Sequence, residues 1–510
     1  MNREQTVSVI IPAQNEEETI SAVIAEAKKL DPLEVIVVVN GSRDATGQIA
    51  KDTGCFVIEY PQALGNDVGR AVGAYHAKGE ILLFLDGDIP IPGQQLLPFV
   101  TAVRQGSQIA LNDLNWSARL PIRPHYTTVS KIATHYLLKK MTPDVNSLLA
   151  VPHALSRRAL EAIGWQNLAD PVVAMAAALE QNLSISAPVS IDVINRNKVR
   201  PVHLSAEEGS PFPRTTSRIL GDHLAAIDRV MKTAGPRGGF TDGWRDRPFL
   251  ETYVPAPGSR RVRRSAIVPV GEERATIAEV VASVRNVADE IIVVANGADR
   301  ETIHKALEAG ATVLRFAKRL GHNVGRAIGA AHSSGEVLLF VDGDFVIPPQ
   351  DLIPFVEAAE QGTDIALNDL QKLLDLFHPI DAVSSVKYFL NMAVKRPDLL
   401  NNSLTAVPHA IHRRVIDRLG YRMLMLPPLA QVMAILAGYS IAAVHYVDVV
   451  GPNRLRPEHQ RQNGRLPAFD RIYGDHVEAL HYLLSKTDAR GGFHDGGRDR
   501  QLIETLQRRN

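Results

Sequence analysis

The run GNDVGRAVGAYHAKGEILLFLDGDIPIP, Gly65 to Pro92, recurs 256 residues later as GHNVGRAIGAAHSSGEVLLFVDGDFVIP, Gly321 to Pro348, with 18 identities in 28 ungapped positions. Ordinary residue frequencies would give about two. Each run reads as a glycine-opened helix, then an unbroken apolar strand, then the acidic turn Asp-Gly-Asp. A repeat this long is a duplicated domain, too large for a solenoid unit.

Other landmarks keep the offset: LNDL at Leu111 and Leu367, AVPHA at Ala150 and Ala406. Further on it falls to 253, with GDH at Gly221 and Gly474, then RGGFTDGWRDR from Arg237 and RGGFHDGGRDR from Arg490. Between the halves, PAPGSRRVRR interrupts both periodicities and reads as a linker over 255–264, either a solvated hinge or a small basic patch. Copy 1 is then 1–254 and copy 2 is 265–510.

Composition is that of a globular protein, 45% hydrophobic and 22% charged, in a chain of 510 residues that is too long for one core. Lys+Arg and Asp+Glu are equal at 56 each, so overall charge gives no reason to expect nucleic acid or an anionic membrane as partner. The lone Cys55 excludes an intrachain disulfide and fits a reducing compartment. No signal-peptide pattern opens the sequence. Its most apolar stretch, 426–450, is broken by Pro427, Pro428, Gln431, Gly438, His445 and Asp448, and is read as a buried helix followed by a strand instead of a membrane span.

Apolar patterning predicts strands over 7–12, 34–39, 57–60 and 81–85 and helices over 17–30, 44–53 and 68–77. This alternation argues for an α/β domain, a mainly parallel sheet covered by helices, with ligands at the carboxyl ends of the strands. The acidic turns sit at such an end. Paired carboxylates there are costly unless solvated, protonated or bound to a cation, and hard oxygen ligands suit magnesium or manganese. Gly87 and Gly343 are expected to allow a tight turn and leave room for a ligand.

Taken in order, VSVIIPAQNEEETI, VIVVVNGSRDAT, the run ending in LFLDGD, and SRRALEAIGW resemble a family 2 glycosyltransferase of the GT-A fold. AIVPVGEERATI, IIVVANGADRET, the run ending in LFVDGD, and HRRVIDRLGY resemble a second. The likeness is best over about the first hundred residues of each copy. It implies a nucleotide-sugar donor whose diphosphate is held through Mn2+ or Mg2+ by Asp86 and Asp88, and by Asp342 and Asp344. Pro12, Glu16, Asn40 and Asp44 would surround the nucleoside, with Pro269, Glu273 and Asn296 in copy 2. Arg70 and Arg326 would lie near the nucleotide; a surface arginine on an amphipathic helix is the alternative.

The resemblance also implies a base near the acceptor, and Asp170 is the candidate, with helix capping as its other reading. Copy 2 has Leu426 at that position. His203 and His459 could complete a metal shell or be structural; His76, His332, His223 and His476 read as helix residues. Arg237 and Arg490 belong either to a lid over the diphosphate or to an Arg-Asp network fixing a loop. The expected activity is metal-dependent transfer of a sugar to a hydroxyl acceptor, which could be a sugar, a small molecule or a lipid-linked glycan. The expected location is the cytoplasm, free or peripheral at the inner face of the membrane. Alternatives are a nucleotide- or carbohydrate-binding scaffold with one or both copies inactive, and a sugar-phosphate nucleotidyltransferase. The latter is disfavoured because IIPAQNEEE and IVPVGEERA stand where a glycine-rich, arginine-containing loop belongs.

Overall fold

Strands buried on both faces need near-continuous apolar runs, and VSVII and EVIVVV supply them: Val9, Ile10, Ile11, Ile36, Val37 and Val38 have no solvent exposure. The computed structural model describes residues 5–139, 144–198, 204–205, 208–255, 261–451 and 467–509. Its first sheet comprises β1 (Val7–Ala13), β2 (Glu34–Asn40), β3 (Phe56–Tyr60), β4 (Ile81–Phe84), β5 (Ile109–Asn112), β6 (His153–Ser156) and β7 (Ile185–Val189). Their order is β3-β2-β1-β4-β6-β5-β7. All neighbours are parallel except β6, which runs antiparallel to β4 and β5.

The second sheet repeats this with β8 (Val262–Val270), β9 (Glu290–Asn296), β10 (Thr312–Phe316), β11 (Gly335–Phe340), β12 (Ile365–Asn368), β13 (His409–His412) and β14 (Ile441–His445). The order is β10-β9-β8-β11-β13-β12-β14, again with one antiparallel strand, β13. Separate apolar cores cover its two faces, one around Val268 and Leu339, the other around Ile267 and Phe340. β8 starts at Val262, and Arg264 pairs with Glu360 at 2.7 Å, so residues 262–264, expected in the linker, belong to the sheet.

Helices Val68–His76 and Val324–His332 lie against β1 and β8 at glycine-permitted distance. A Cβ on Gly73 would collide with Ile10, and one on Gly329 with Ile267. This packing aims the end of each helix's first turn, Arg70 or Arg326, at the strand end beside it. The stretch 426–450 forms helix Pro427–Leu436 and strand Ile441–His445. Among the described residues, no helix is long and apolar enough to cross a membrane.

The compact units are cut differently from the sequence repeats. Unit 1 is Met1–Val230 with Thr487–Asn510, and unit 2 is Met231–Lys486. Each unit is thus completed by a helix-bearing segment from the end of the other repeat. In unit 1, Ile503 and Leu506 enter the core that contains Val72 and Phe84, and the Asp499 amide donates to the Leu64 carbonyl at 2.8 Å. In unit 2, Leu250 enters the core that contains Val324 and Phe340, and the Asp246 amide donates to the Leu320 carbonyl at 2.8 Å. The docking loops approach so closely that only glycine fits. Gly65 (φ +83°) leaves no room for a Cβ beside the Gly497 carbonyl, and a Cβ on Gly321 (φ +92°) would lie 2.6 Å from Arg245 Cα.

Candidate functional site

The acidic turns leave the carboxyl ends of β4 and β11 beside the ends of β1 and β8. A Cβ on Gly87 would stand 3.0 Å from Ala13 Cβ, and one on Gly343 2.6 Å from Val270 Cγ1. Close packing against the first strand therefore favours glycine at the centre of each turn. Thr19 and Thr276 donate their hydroxyls to the carbonyls of Gly87 and Gly343, at 2.8 and 2.6 Å, tying each turn to the first helix. The Asp86 and Asp342 side chains keep 36% exposure, so each offers carboxylate oxygen to the open side.

Arg70 and Arg326 are buried, not surface residues of an amphipathic helix. Each points at its acidic turn: Arg70 Nη2 lies 3.2 Å from Asp86 Oδ1, and Arg326 Nη2 lies 2.9 Å from Asp342 Oδ1. Arg70 also donates to the Leu149 carbonyl at 3.3 Å and pairs with Asp67 at 3.2 Å. Burial works against its charge, but Asp86 and Asp67 outweigh it and raise the pKa.

Around the first two strand ends, the predicted nucleoside contacts are engaged in holding loops. Asn40 accepts from the Leu64 amide and donates to the Gly65 carbonyl at 3.2 Å; Asn296 repeats this with Leu320 and with Gly321 at 3.0 Å. Their amides are spent on the loop that opens the arginine helix. Burial works against the charge of Asp44, but the Thr46 hydroxyl at 2.5 Å, the Thr46 amide at 3.0 Å and the Glu17 amide at 3.1 Å donate to it and lower its pKa. Glu16 is buried, with Lys198 3.8 Å away, and Glu273 accepts from the Gly271 amide. Pro12 and Pro269 pack under the helix glycines, 2.9 and 3.0 Å from a Cβ placed on Gly69 and Gly325. His203 and His459 lie outside the described residues.

Arg237 and Arg490 form no open lid. Arg490 pairs with Asp222 at 2.8 Å, while Arg237 pairs with Asp475 at 2.9 Å and Glu478 at 2.7 Å. Asp170 belongs to the same kind of network. It makes no side-chain capping bond to its helix, and its oxygens face Arg500 and, at 3.2 Å, Arg498. The capping bond expected of Asp170 is thus not made, and its carboxylate serves as a counter-ion to these arginines. Asp170, Asp222 and Asp495 bring carboxylate oxygens within 4.8 Å of one another, but Arg490, Arg498 and Arg500 already supply the positive charge a cation would bring. Burial opposes the charge of Asp222, but Arg498, Arg218 and Arg490 outweigh it and lower the pKa; for Asp495, Arg500 and Arg498 overcome burial and take it to about 2.

A model of glycosyl transferase family 2 matches residues 8–161 and 265–385, together more than half of the chain. The chain belongs to that family. Among curated relatives, glycosyltransferase AglE of Haloferax volcanii is 38% identical over 115 residues, 21% of this chain and 37% of the relative. Glucosyl-3-phosphoglycerate synthase of Mycolicibacterium paratuberculosis is 34% identical over 108 residues, 19% of this chain and 32% of the relative. The matches thus span about a third of these relatives' length. The solved glucosyl-3-phosphoglycerate synthase of Mycobacterium tuberculosis with Mn2+, UDP-glucose and phosphoglyceric acid aligns at TM-score 0.34 and 20% identity, over 44% of this chain and 80% of that one.

Comparing the two family 2 domains explains why copy 2 tolerates Leu426. At the position of Ala225 it carries Glu478, which pairs with Arg247 at 2.7 Å, as Asp170 pairs with Arg500 in unit 1. The counter-ion has moved from one helix to another. In each GDH it is the aspartate, Asp222 or Asp475, that anchors the network, a role the motif's histidine does not signal.

Proposed function

We propose that the chain transfers a glycosyl group from a nucleotide-sugar to a hydroxyl acceptor, with a divalent cation at Asp86 and Asp88 and the same framework at Asp342 and Asp344. The observation that carries this reading, beside family membership, is the buried arginine aimed at a half-open carboxylate at the same strand end in both copies. Hard carboxylate oxygens there fit Mn2+ or Mg2+. When bound, the cation would supply charge stabilisation to the departing nucleoside diphosphate.

In the reaction, the bond from the anomeric carbon to the diphosphate oxygen breaks, the acceptor oxygen bonds to that carbon, and the hydroxyl proton leaves to a base. Arg70 and Arg326 hold the Asp86 and Asp342 carboxylates in place, and the Asn40 and Asn296 loops position those arginines. Asp170 serves in this scheme as counter-ion to the terminal arginines. Because Glu478 replaces it in copy 2, its absence there is no sign of lost function, and both copies are proposed to bind donor. We place the protein on the cytoplasmic side, free or peripheral at the membrane. The complex of the solved relative with UDP-glucose and Mn2+ makes UDP-sugars the first donors to try.

The test is a thermal-shift and donor-hydrolysis screen of nucleotide-sugars with and without Mn2+ on the intact chain, Asp86→Ala and Asp342→Ala. Each substitution is expected to remove part of a metal-dependent shift. A shift unchanged in both would overturn the assignment of the diphosphate sites.

A further inference from the structure

The two acidic turns differ in what their arginine touches on its other side. In copy 1 the residue before the arginine helix is Asp67, nearly buried, with φ +65° and no side-chain capping bond. One of its oxygens lies 3.2 Å from Arg70, and the other lies 3.1 Å from Arg218 and 3.3 Å from Arg498. Arg498 in turn reaches Asp222 at 2.9 Å. A continuous line of charge therefore runs from the terminal segment through Asp67 and Arg70 to Asp86. In copy 2 the same backbone position, φ +63°, carries the neutral Asn323, and Arg326 sits closer to its acidic turn, 2.9 Å against 3.2 Å.

A guanidinium and a divalent cation compete for the same carboxylate oxygen. Where the guanidinium is shared with a second carboxylate, its hold on the first is weaker and its charge repels an incoming cation less. We propose that Asp67 is a positioning residue that draws Arg70 off Asp86, making the acidic turn of copy 1 the tighter cation site of the two. This rests on the proposed role of the acidic turns as cation sites.

The test measures binding of Mn2+ alone to the full chain, by calorimetry and by the spin-resonance signal of free Mn2+. Asp342→Ala isolates copy 1, and Asp86→Ala isolates copy 2. In the first background Asp67→Asn is expected to weaken Mn2+ binding about tenfold, the scale of neutralising one charge beside a partly buried ion. In the second, Asn323→Asp is expected to tighten it by a similar factor, an arm that does not depend on how well Asp67→Asn folds. Adding Arg70→Gln should shrink the effect of Asp67→Asn to less than about twofold, because the coupling passes through that side chain. An effect undiminished by Arg70→Gln, or affinities in both backgrounds unmoved by the exchange, would overturn the proposal while leaving the cation sites standing. Absence of Mn2+ binding to the unmutated chain would remove the cation sites themselves, and the proposal with them.

Discussion

Replacing Asp170 by leucine, as copy 2 has done at Leu426, separates a counter-ion from a base. Among the described residues of unit 1, five arginines (Arg70, Arg218, Arg490, Arg498, Arg500) and five aspartates (Asp67, Asp86, Asp170, Asp222, Asp495) form one connected ion-pair network, and the substitution removes one of its negative charges. Breaking a buried pair costs about 3–5 kcal/mol. Arg500 keeps 45% exposure and can rehydrate, while Arg498 retains Asp222 and Asp495, which reduces the expected loss to about 2 kcal/mol. For a unit of this size that lowers the melting temperature by about 5 °C. Ala225→Glu restores the carboxylate in the place copy 2 uses, and Asp170→Leu/Ala225→Glu should recover most of the loss. Differential scanning fluorimetry reads the stability, and donor turnover is measured on the same samples. An Asp170→Leu melt indistinguishable from the unmutated chain, or no rescue by Ala225→Glu, would refute the counter-ion argument. A stable double variant whose turnover has dropped by about a hundredfold or more would return the role of base to Asp170.

Ending the chain after Lys486 removes the segment that neutralises Asp170 and Asp222 and supplies Ile503 and Leu506 to the first core; calorimetry should show an early, separate transition for unit 1, and a single unshifted transition would contradict the assignment of that segment. Burial holds the pKa of His223 at about 3 and of His476 at about 4, below the unfolded value near 6.5. The unfolded chain therefore binds more protons as pH falls below about 6.5, and each histidine should cost about 1 kcal/mol of stability per pH unit from about 6 down towards its folded pKa. Melting curves across pH 7 to about 4.5 check this, and His223→Gln should flatten the slope. Trp244 is 95% exposed at φ +67°, where copy 2's terminal segment has Gly497 at φ +69°. Trp244→Gly should relieve about 1 kcal/mol of backbone strain, read as a raised melting temperature.

The doubled α/β fold was legible because buried parallel strands leave a strong signal: VSVII, EVIVVV and EILLFL each became central strands. The acidic turns were legible for a related reason, since paired carboxylates at the end of an apolar run have few structural explanations. Arg70 and Arg326 were visible as residues, but their burial was not, because their partners Asp86 and Asp342 stand 16 positions away on another element. The segment exchange was hidden altogether. A tandem repeat presents two identical docking places, and periodicity cannot say which copy of RGGF occupies which. Reading Asp170 against Leu426 at one aligned position likewise missed Glu478, which restores the charge from a different helix.

That exchange alters the timetable of folding. Domains near the amino terminus ordinarily fold first as a chain is synthesised, at roughly 5–20 residues per second. Here unit 1 lacks Thr487–Asn510 until all of unit 2 has been made. The earlier-made domain is thus the later one to be finished, because the partners of its aspartates follow unit 2 in the chain.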